Sequence, residues 1–174
     1  MIDNSAYDTK TLTFDNESVI ITDPCYLIPP NRNGDWDESE YGEKMHNLGY
    51  TKYITVRNCI GDGEWKVKNQ KDGKIIGEIW ADSGKTGLYL IDEILKAYPN
   101  FFDRKSAKSF VVLIGFTGSI TFRFREFTDS LDGHVWREHV LIVECDGKTC
   151  DGTEIKFSVD FNDDLDMGDE EEDE

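Results

Sequence analysis

Residues 110–125 read Phe-Val-Val-Leu-Ile-Gly-Phe-Thr-Gly-Ser-Ile-Thr-Phe-Arg-Phe-Arg, and this stretch decides the fold class. From Ser109 to Phe116 the run is apolar throughout. From Ile120 onward Ile, Phe and Phe alternate with Thr121, Arg123 and Arg125, the period of a half-buried strand. The Thr117-Gly118 pair between them reads as a hairpin turn. A third strand is expected over about His134 to Cys145. A fourth places Ile155, Phe157, Val159 and Phe161 on one face against Lys156, Ser158 and Asp160. Loops at Asp129–Gly133 and Asp146–Gly152 each hold an Asp-Gly turn signal, so the four segments read as an antiparallel meander.

Working outward, the N-terminal half uses the same grammar. Leu12 and Phe14, then Val19, Ile20 and Ile21, flank Asp15-Asn16 as a short hairpin. Tyr53–Val56, Glu64–Val67 and Ile75–Trp80 read as three more strands, the last two joined at Asp72-Gly73. Two helices interrupt them. One spans Trp36–Leu48, where Asp35 and Glu38 have capping-box spacing, Trp36, Tyr41, Met45 and Leu48 share a face, and Gly49 closes the end. The other follows Asp82-Ser83, with Leu88, Ile91, Ile94, Leu95 and Tyr98 at helical spacing before Pro99. The expected fold is α+β, mainly antiparallel β in a meander or sandwich-like sheet, with one or two short helices. Residues 1–162 form a single domain in this reading, and 163–174 a disordered acidic tail.

Charge narrows the class of partner. The chain has 19 basic and 36 acidic residues, a formal charge of -17; residues 163–174 hold nine acids and no base, which leaves -8 on residues 1–162. Such a field repels phosphate backbones and anionic lipid, so direct nucleic-acid binding and membrane binding are disfavoured. No apolar run approaches the ~20 residues that span a bilayer, and Met1–Ser5 lacks a basic start, so a cytoplasmic protein without a leader is expected. Cys25, Cys59, Cys145 and Cys150 lack CxxC spacing and are expected as free thiols, with a zinc half-site or redox bridge at Cys145 and Cys150 a lesser alternative. No metal and no cofactor is expected.

Three motifs could carry chemistry. Gly84-Lys85-Thr86 imitates a phosphate-binding loop, but the glycine required five positions earlier is Ile79, and a meander lacks the parallel sheet that such a loop sits on. Three turns each set a carboxylate beside a small or rigid residue: Asp23-Pro24-Cys25-Tyr26, Gly61-Asp62-Gly63 and Asp82-Ser83-Gly84. If they converge, Asp23, Cys25, Tyr26, Asp62, Asp82 and Ser83 could bind a small ligand or nucleotide, or hold a divalent cation for hydrolysis. The plainer reading is ordinary turn chemistry. Third, in residues 35–43 the acids Asp35, Asp37, Glu38, Glu40 and Glu43 surround Trp36 and Tyr41, a pattern suited to a basic partner with an aromatic anchor, or to an amphipathic helix with its aromatics inward. His134 and His139, five apart on a strand, face opposite sides, and His46 lies among acids. With neither a Gly-x-Ser-x-Gly elbow nor a base or positive field in sequence beside Cys25, no catalytic residue is assigned.

The order Ile21-Thr22-Asp23-Pro24-Cys25-Tyr26, Trp36, Gly61-Asp62-Gly63-Glu64-Trp65-Lys66-Val67 and Ala81-Asp82-Ser83-Gly84 resembles a loose group of small uncharacterised proteins of bacteriophages and bacteria, marked by a DPCY turn and a GDG-aromatic-x-Val strand. The likeness covers about the first ninety residues. It implies a viral or mobile-element setting and a β-rich fold, and transfers no catalytic residue. The leading expectation is a non-enzymatic inhibitor that mimics nucleic acid and docks on a nucleic-acid-binding protein through Asp35, Trp36, Asp37, Glu38, Glu40, Tyr41 and Glu43. The alternatives are a ligand site or hydrolase at the turn cluster, or a structural role in a virion.

Overall fold

The computed structural model describes residues 8–27, 41–57, 63–81, 85–103, 110–131 and 134–161, with the backbone alone for Arg57, Ala81, 126–131 and 134–140. Among these residues the strands are β1 (Asp8–Thr22), β2 (Tyr53–Arg57), β3 (Gly63–Lys68), β4 (Ile75–Ala81), β5 (Lys85–Leu90), β6 (Val111–Leu131), β7 (His134–Lys148) and β8 (Glu154–Asp160). Two short helices are α1 (Tyr41–Asn47) and α2 (Ile91–Ala97), and one-turn 3₁₀ segments lie at Pro24–Tyr26 and Phe101–Asp103. The architecture is mainly antiparallel β with two short helices, as the sequence patterning requires.

A six-stranded sheet runs β2-β5-β1-β6-β7-β8, and β3-β4 form a separate hairpin. Every pairing is antiparallel. Alternation along β1 assigns the two faces: Val19 and Ile21 enter one core, and Ile20 enters the other. On the first face the hairpin contributes Trp65, Val67 and Ile79 against Phe116, Ile120, Phe122, Leu141, Val143 and Phe157. On the second, Tyr41 and Met45 of α1, Ile91 and Ile94 of α2, Leu27 and Phe101 cover Ile20 and Tyr89. Each fully buried Phe or Ile contributes roughly 1.5–3 kcal/mol of hydrophobic stabilisation, so these two clusters hold the sheet from both sides.

Four expectations are corrected. Leu12–Phe14 and Val19–Ile21 belong to one strand, not a hairpin: Asn16 takes a positive φ of 55°, and the register against β6 slips between Phe14, Glu17 and Val19, a bulge in place of a turn. Thr117-Gly118 is likewise no turn. β6 runs straight through it, because Gly118 sits where an added Cβ would lie 2.3 Å from the Asp146 carbonyl oxygen, so the glycine serves close strand approach. Leu88 belongs to a strand: β5 lies between β1 and β2, Thr86 to Tyr89 are all buried, and a short apolar run buried on both faces has no period to separate it from helix. The meander is therefore β6-β7-β8, with β1 as the neighbour of β6.

Gly49, at φ 89°, closes α1 by donating its N–H to the His46 carbonyl at 3.0 Å, the end that the sequence marks. Among the described residues, pairing to β1 is seen as far as Phe124 and pairing to β8 as far as Ile142, while β6-β7 pairing reaches Leu131 and His134.

Candidate functional site

β1 ends at Thr22, and Asp23 caps the one-turn helix that follows. Its backbone is extended (φ -71°, ψ 133°), Pro24 presets the first helical φ, and the Asp23 carboxylate accepts the Cys25 N–H at 2.8 Å. Asp23 is wholly buried. The neighbouring Thr22 hydroxyl is buried and makes no hydrogen bond. Below it, the Tyr89 and Thr55 hydroxyls lie 2.6 Å apart. Burial pushes the Tyr89 phenol well up from its ordinary pKa, and the Asp23 charge acts in the same direction, so this hydroxyl stays protonated and available as a donor. Tyr26 packs on Phe110 at 5.3 Å between centroids, and Tyr50 donates to the Leu27 carbonyl at 3.0 Å.

The strand register shows what surrounds that end of the sheet. Thr22 pairs with Gly87, Arg57 with Lys85, and Gly63 with Ala81. The ends of β1 and β2 and the start of β5 thus share one end of the main sheet, and residues 58–62 and 82–84 connect that end to the hairpin. Asp62, Asp82 and Ser83 lie outside the described residues. Of the turn cluster, the structure brings Asp23, Cys25 and Tyr26 to this end; Asp23 serves the local backbone there, and the Cys25 side chain is half-buried.

The acidic segment 35–43 divides. Asp35, Trp36, Asp37, Glu38 and Glu40 lie outside the described residues. Glu43 is exposed on α1, whereas Tyr41 is 3% exposed and belongs to the second core. Tyr41 is therefore not a docking anchor: with Met45 four residues on, it lies on the apolar stripe that seats α1 on the sheet.

Elsewhere Lys85 and Thr86 lie within strand β5, so no helix follows the Gly-Lys-Thr triplet directly. Cys145 is buried, with its thiol pKa pushed far up by loss of solvent, and Cys150 is exposed; both are free. Among the described residues no group of three or more His, Cys, Asp or Glu could hold a metal ion, and no helix is long and apolar enough to cross a membrane. All described acidic side chains except Asp23 are exposed or half-exposed, so the acidic excess is a property of the surface.

Sequence reasoning missed Asn69. This wholly buried amide sits in the β3-β4 connection and grips the edge of β8: Nδ2 donates to the Glu154 carbonyl at 2.9 Å, and Oδ1 accepts the Lys156 N–H at 3.0 Å. Also missed were the lysines around it, Lys66, Lys68, Lys71, Lys74 and Lys156, all exposed. The available signal was a lysine-rich stretch inside an acidic chain. No family profile, curated protein or solved structure matches this chain.

Proposed function

We propose that the protein is a non-enzymatic, acidic interaction protein that occupies the nucleic-acid-binding surface of a basic protein partner and blocks it. The observation that carries this reading is the placement of charge. A formal charge of -17 rests on side chains that, Asp23 apart among those described, face solvent. A dense solvent-facing carboxylate field steers toward a groove that accommodates phosphates and competes with them there. The resemblance through the Asp23-Pro24-Cys25-Tyr26 and Gly61-Asp62-Gly63 motifs supports a bacteriophage setting, in which the partner is a bacterial defence or housekeeping protein. Asp35, Trp36, Asp37, Glu38, Glu40 and Glu43 remain candidate contacts, and Tyr41 is packed in the second core. The test is a tagged capture from bacterial lysate at low and at high salt: a nucleic-acid-binding protein retained at low salt and released at high salt supports the reading, and equal retention at both ionic strengths counts against it.

A second reading is favoured by the shared end of β1, β2 and β5, toward which the Asp62 and Asp82 turns lead. Here the end of the sheet binds a small ligand. Asp62→Asn and Asp82→Asn then abolish ligand binding with the fold intact, whereas loss of stability alone would make them turn formers. A small molecule released stoichiometrically on denaturation, with no protein partner captured, decides for this reading.

A further inference from the structure

Tyr41 turns inward, but an aromatic flanked by acids does stand on the β3-β4 hairpin. Trp65, Val67 and Ile79 occupy the hairpin face that enters the first core, so strand alternation puts Glu64, Lys66, Glu78 and Trp80 on the other face. There the register sets Glu64 directly across from Trp80, and Lys66 across from Glu78. Trp80 is half-buried and held from two sides. Its indole Nε1–H donates to Glu78 Oε1 at 3.0 Å, and its ring stands at 87° to Phe110 with 6.3 Å between centroids. Glu64 and Lys66 are exposed, and among the described residues neither forms an ion pair. The Glu78 carboxylate is therefore engaged by the indole and not by Lys66, and the group as a whole carries one net negative charge.

Opposed residues of an antiparallel pair stand about 4.5–5.5 Å apart at Cβ and diagonal ones about 7–8 Å, so a planar cation lying on this indole has a carboxylate within reach on either side. A guanidinium suits that arrangement. It stacks on an indole face, and its rigid fork of N–H donors meets carboxylates in pairs, whereas an ammonium is a strongly hydrated point charge. The rings of Phe14 and Phe124 already carry the chain's own Lys52 and Lys10, at 4.4 and 5.6 Å, but among the described residues no cation of the chain stands over Trp80. The geometry points to an arginine receptor on the hairpin: Trp80 is the platform, Glu64 and Glu78 are its anionic walls, and the occupant is one arginine side chain of the basic partner. This rests on the leading reading above and gives it a contact point. Surfaces that bind phosphates use arginine, and a rigid tryptophan ringed by polar groups is the kind of residue that concentrates binding energy at an interface.

An NMR titration of the isotopically labelled full chain at fixed ionic strength tests it, with the peptide acetyl-Gly-Arg-Gly-Arg-Gly-amide and its lysine and citrulline counterparts as probes. The Trp80 indole N–H resonance, assigned by its absence in Trp80→Phe, is expected to shift saturably with the arginine peptide. The lysine peptide should bind at least about threefold more weakly, and the uncharged citrulline peptide should leave the resonance in place. Glu64→Gln, at an exposed position that leaves the melting temperature unchanged, should weaken the arginine peptide at least about threefold. So should Glu78→Gln, whose amide oxygen still accepts the indole N–H. The absence of a saturable shift at Trp80, equal affinity for the arginine and lysine peptides, or unaltered binding in both variants overturns the proposal. The partner captured from lysate separates this inference from the reading beneath it. Its affinity should fall at least about tenfold for the double variant Glu64→Gln, Glu78→Gln. A captured nucleic-acid-binding protein that binds the double variant as tightly as the parent leaves the leading reading intact and overturns the arginine receptor. Saturable arginine-peptide binding at Trp80 with no such protein captured supports the receptor and removes the leading reading.

Discussion

Single residues hold this fold together where the strands run out of partners. Asn69 acts as a short surrogate strand: one buried amide satisfies the Glu154 carbonyl and the Lys156 N–H, and its Oδ1 also accepts the Lys71 N–H at 3.2 Å. Asn69→Ala leaves those groups without partners, and an orphaned buried polar group costs about 1–3 kcal/mol. The expected outcome is a loss of that order in urea unfolding, with an unchanged denaturant slope; a neutral substitution would mean that water replaces the amide. Asp151 plays a similar part in the β7-β8 turn. It accepts the Thr149 hydroxyl at 2.6 Å and the Thr153 N–H at 3.0 Å, and these bonds lower its carboxyl from 3.8 to about 2. A depressed carboxylate stabilises the fold above its unfolded pKa, and that contribution fades as pH falls from about 4 toward 2. A carboxyl-detected NMR titration should place Asp151 near 2 in the native protein, and Thr149→Ala should move it upward.

At the scale of elements, legibility in the sequence followed burial geometry. β3 and β8 each have one wet face, so Glu64-Trp65-Lys66-Val67 and Ile155-Lys156-Phe157-Ser158-Val159 announced themselves by alternation. β5 has no wet face over Thr86–Tyr89, so Leu88 falls as readily into the helical spacing of Ile91 and Leu95, and only the pairing with β1 and β2 identifies the strand. Glycine misled in β6 because a turn and a close approach leave the same letter. Gly118 and Gly42 separate those roles by experiment. Gly118→Ala forces a Cβ to 2.3 Å from the Asp146 carbonyl oxygen and should cost about 1–3 kcal/mol, whereas Gly42, with nothing within 4 Å in helix α1, should gain about 0.5–1 kcal/mol on mutation to Ala. A thermal melt of each variant checks the signs. For the candidate site, the Asp-Pro turn was legible because capping is local chemistry. The inward setting of Tyr41 and the meeting of Lys66 and Lys68 with β8 were not, since both depend on which elements pack together. Joining Arg125 to Val140 through an Asn-Gly turn removes only residues past the last β1 and β8 pairings among the described residues. The shortened protein should melt within a few degrees of the parent; if it also loses its captured partner, the removed segment is a docking arm.

For the whole molecule, the decisive quantity is charge, and the proposed function stands or falls on how association responds to it. The sequence pI of about 4.5 puts the chain far from neutrality at pH 7. Long-range attraction to a basic surface then raises the association rate by roughly 10- to 1000-fold over a neutral pair, and salt removes that gain as the screening length falls from about 10 Å at 0.1 M to about 3 Å at 1 M. Contacts already formed are screened less. Association kinetics measured against the captured partner should therefore show a rate constant for binding that drops steeply with salt and a dissociation rate that changes little. Ending the chain at Asn162 removes nine of the seventeen net negative charges. If residues 163–174 steer from solution, that truncation should reproduce much of the effect of added salt. Association insensitive to salt in both forms would remove electrostatic mimicry as the basis of binding and return attention to the end of the sheet where β1, β2 and β5 meet.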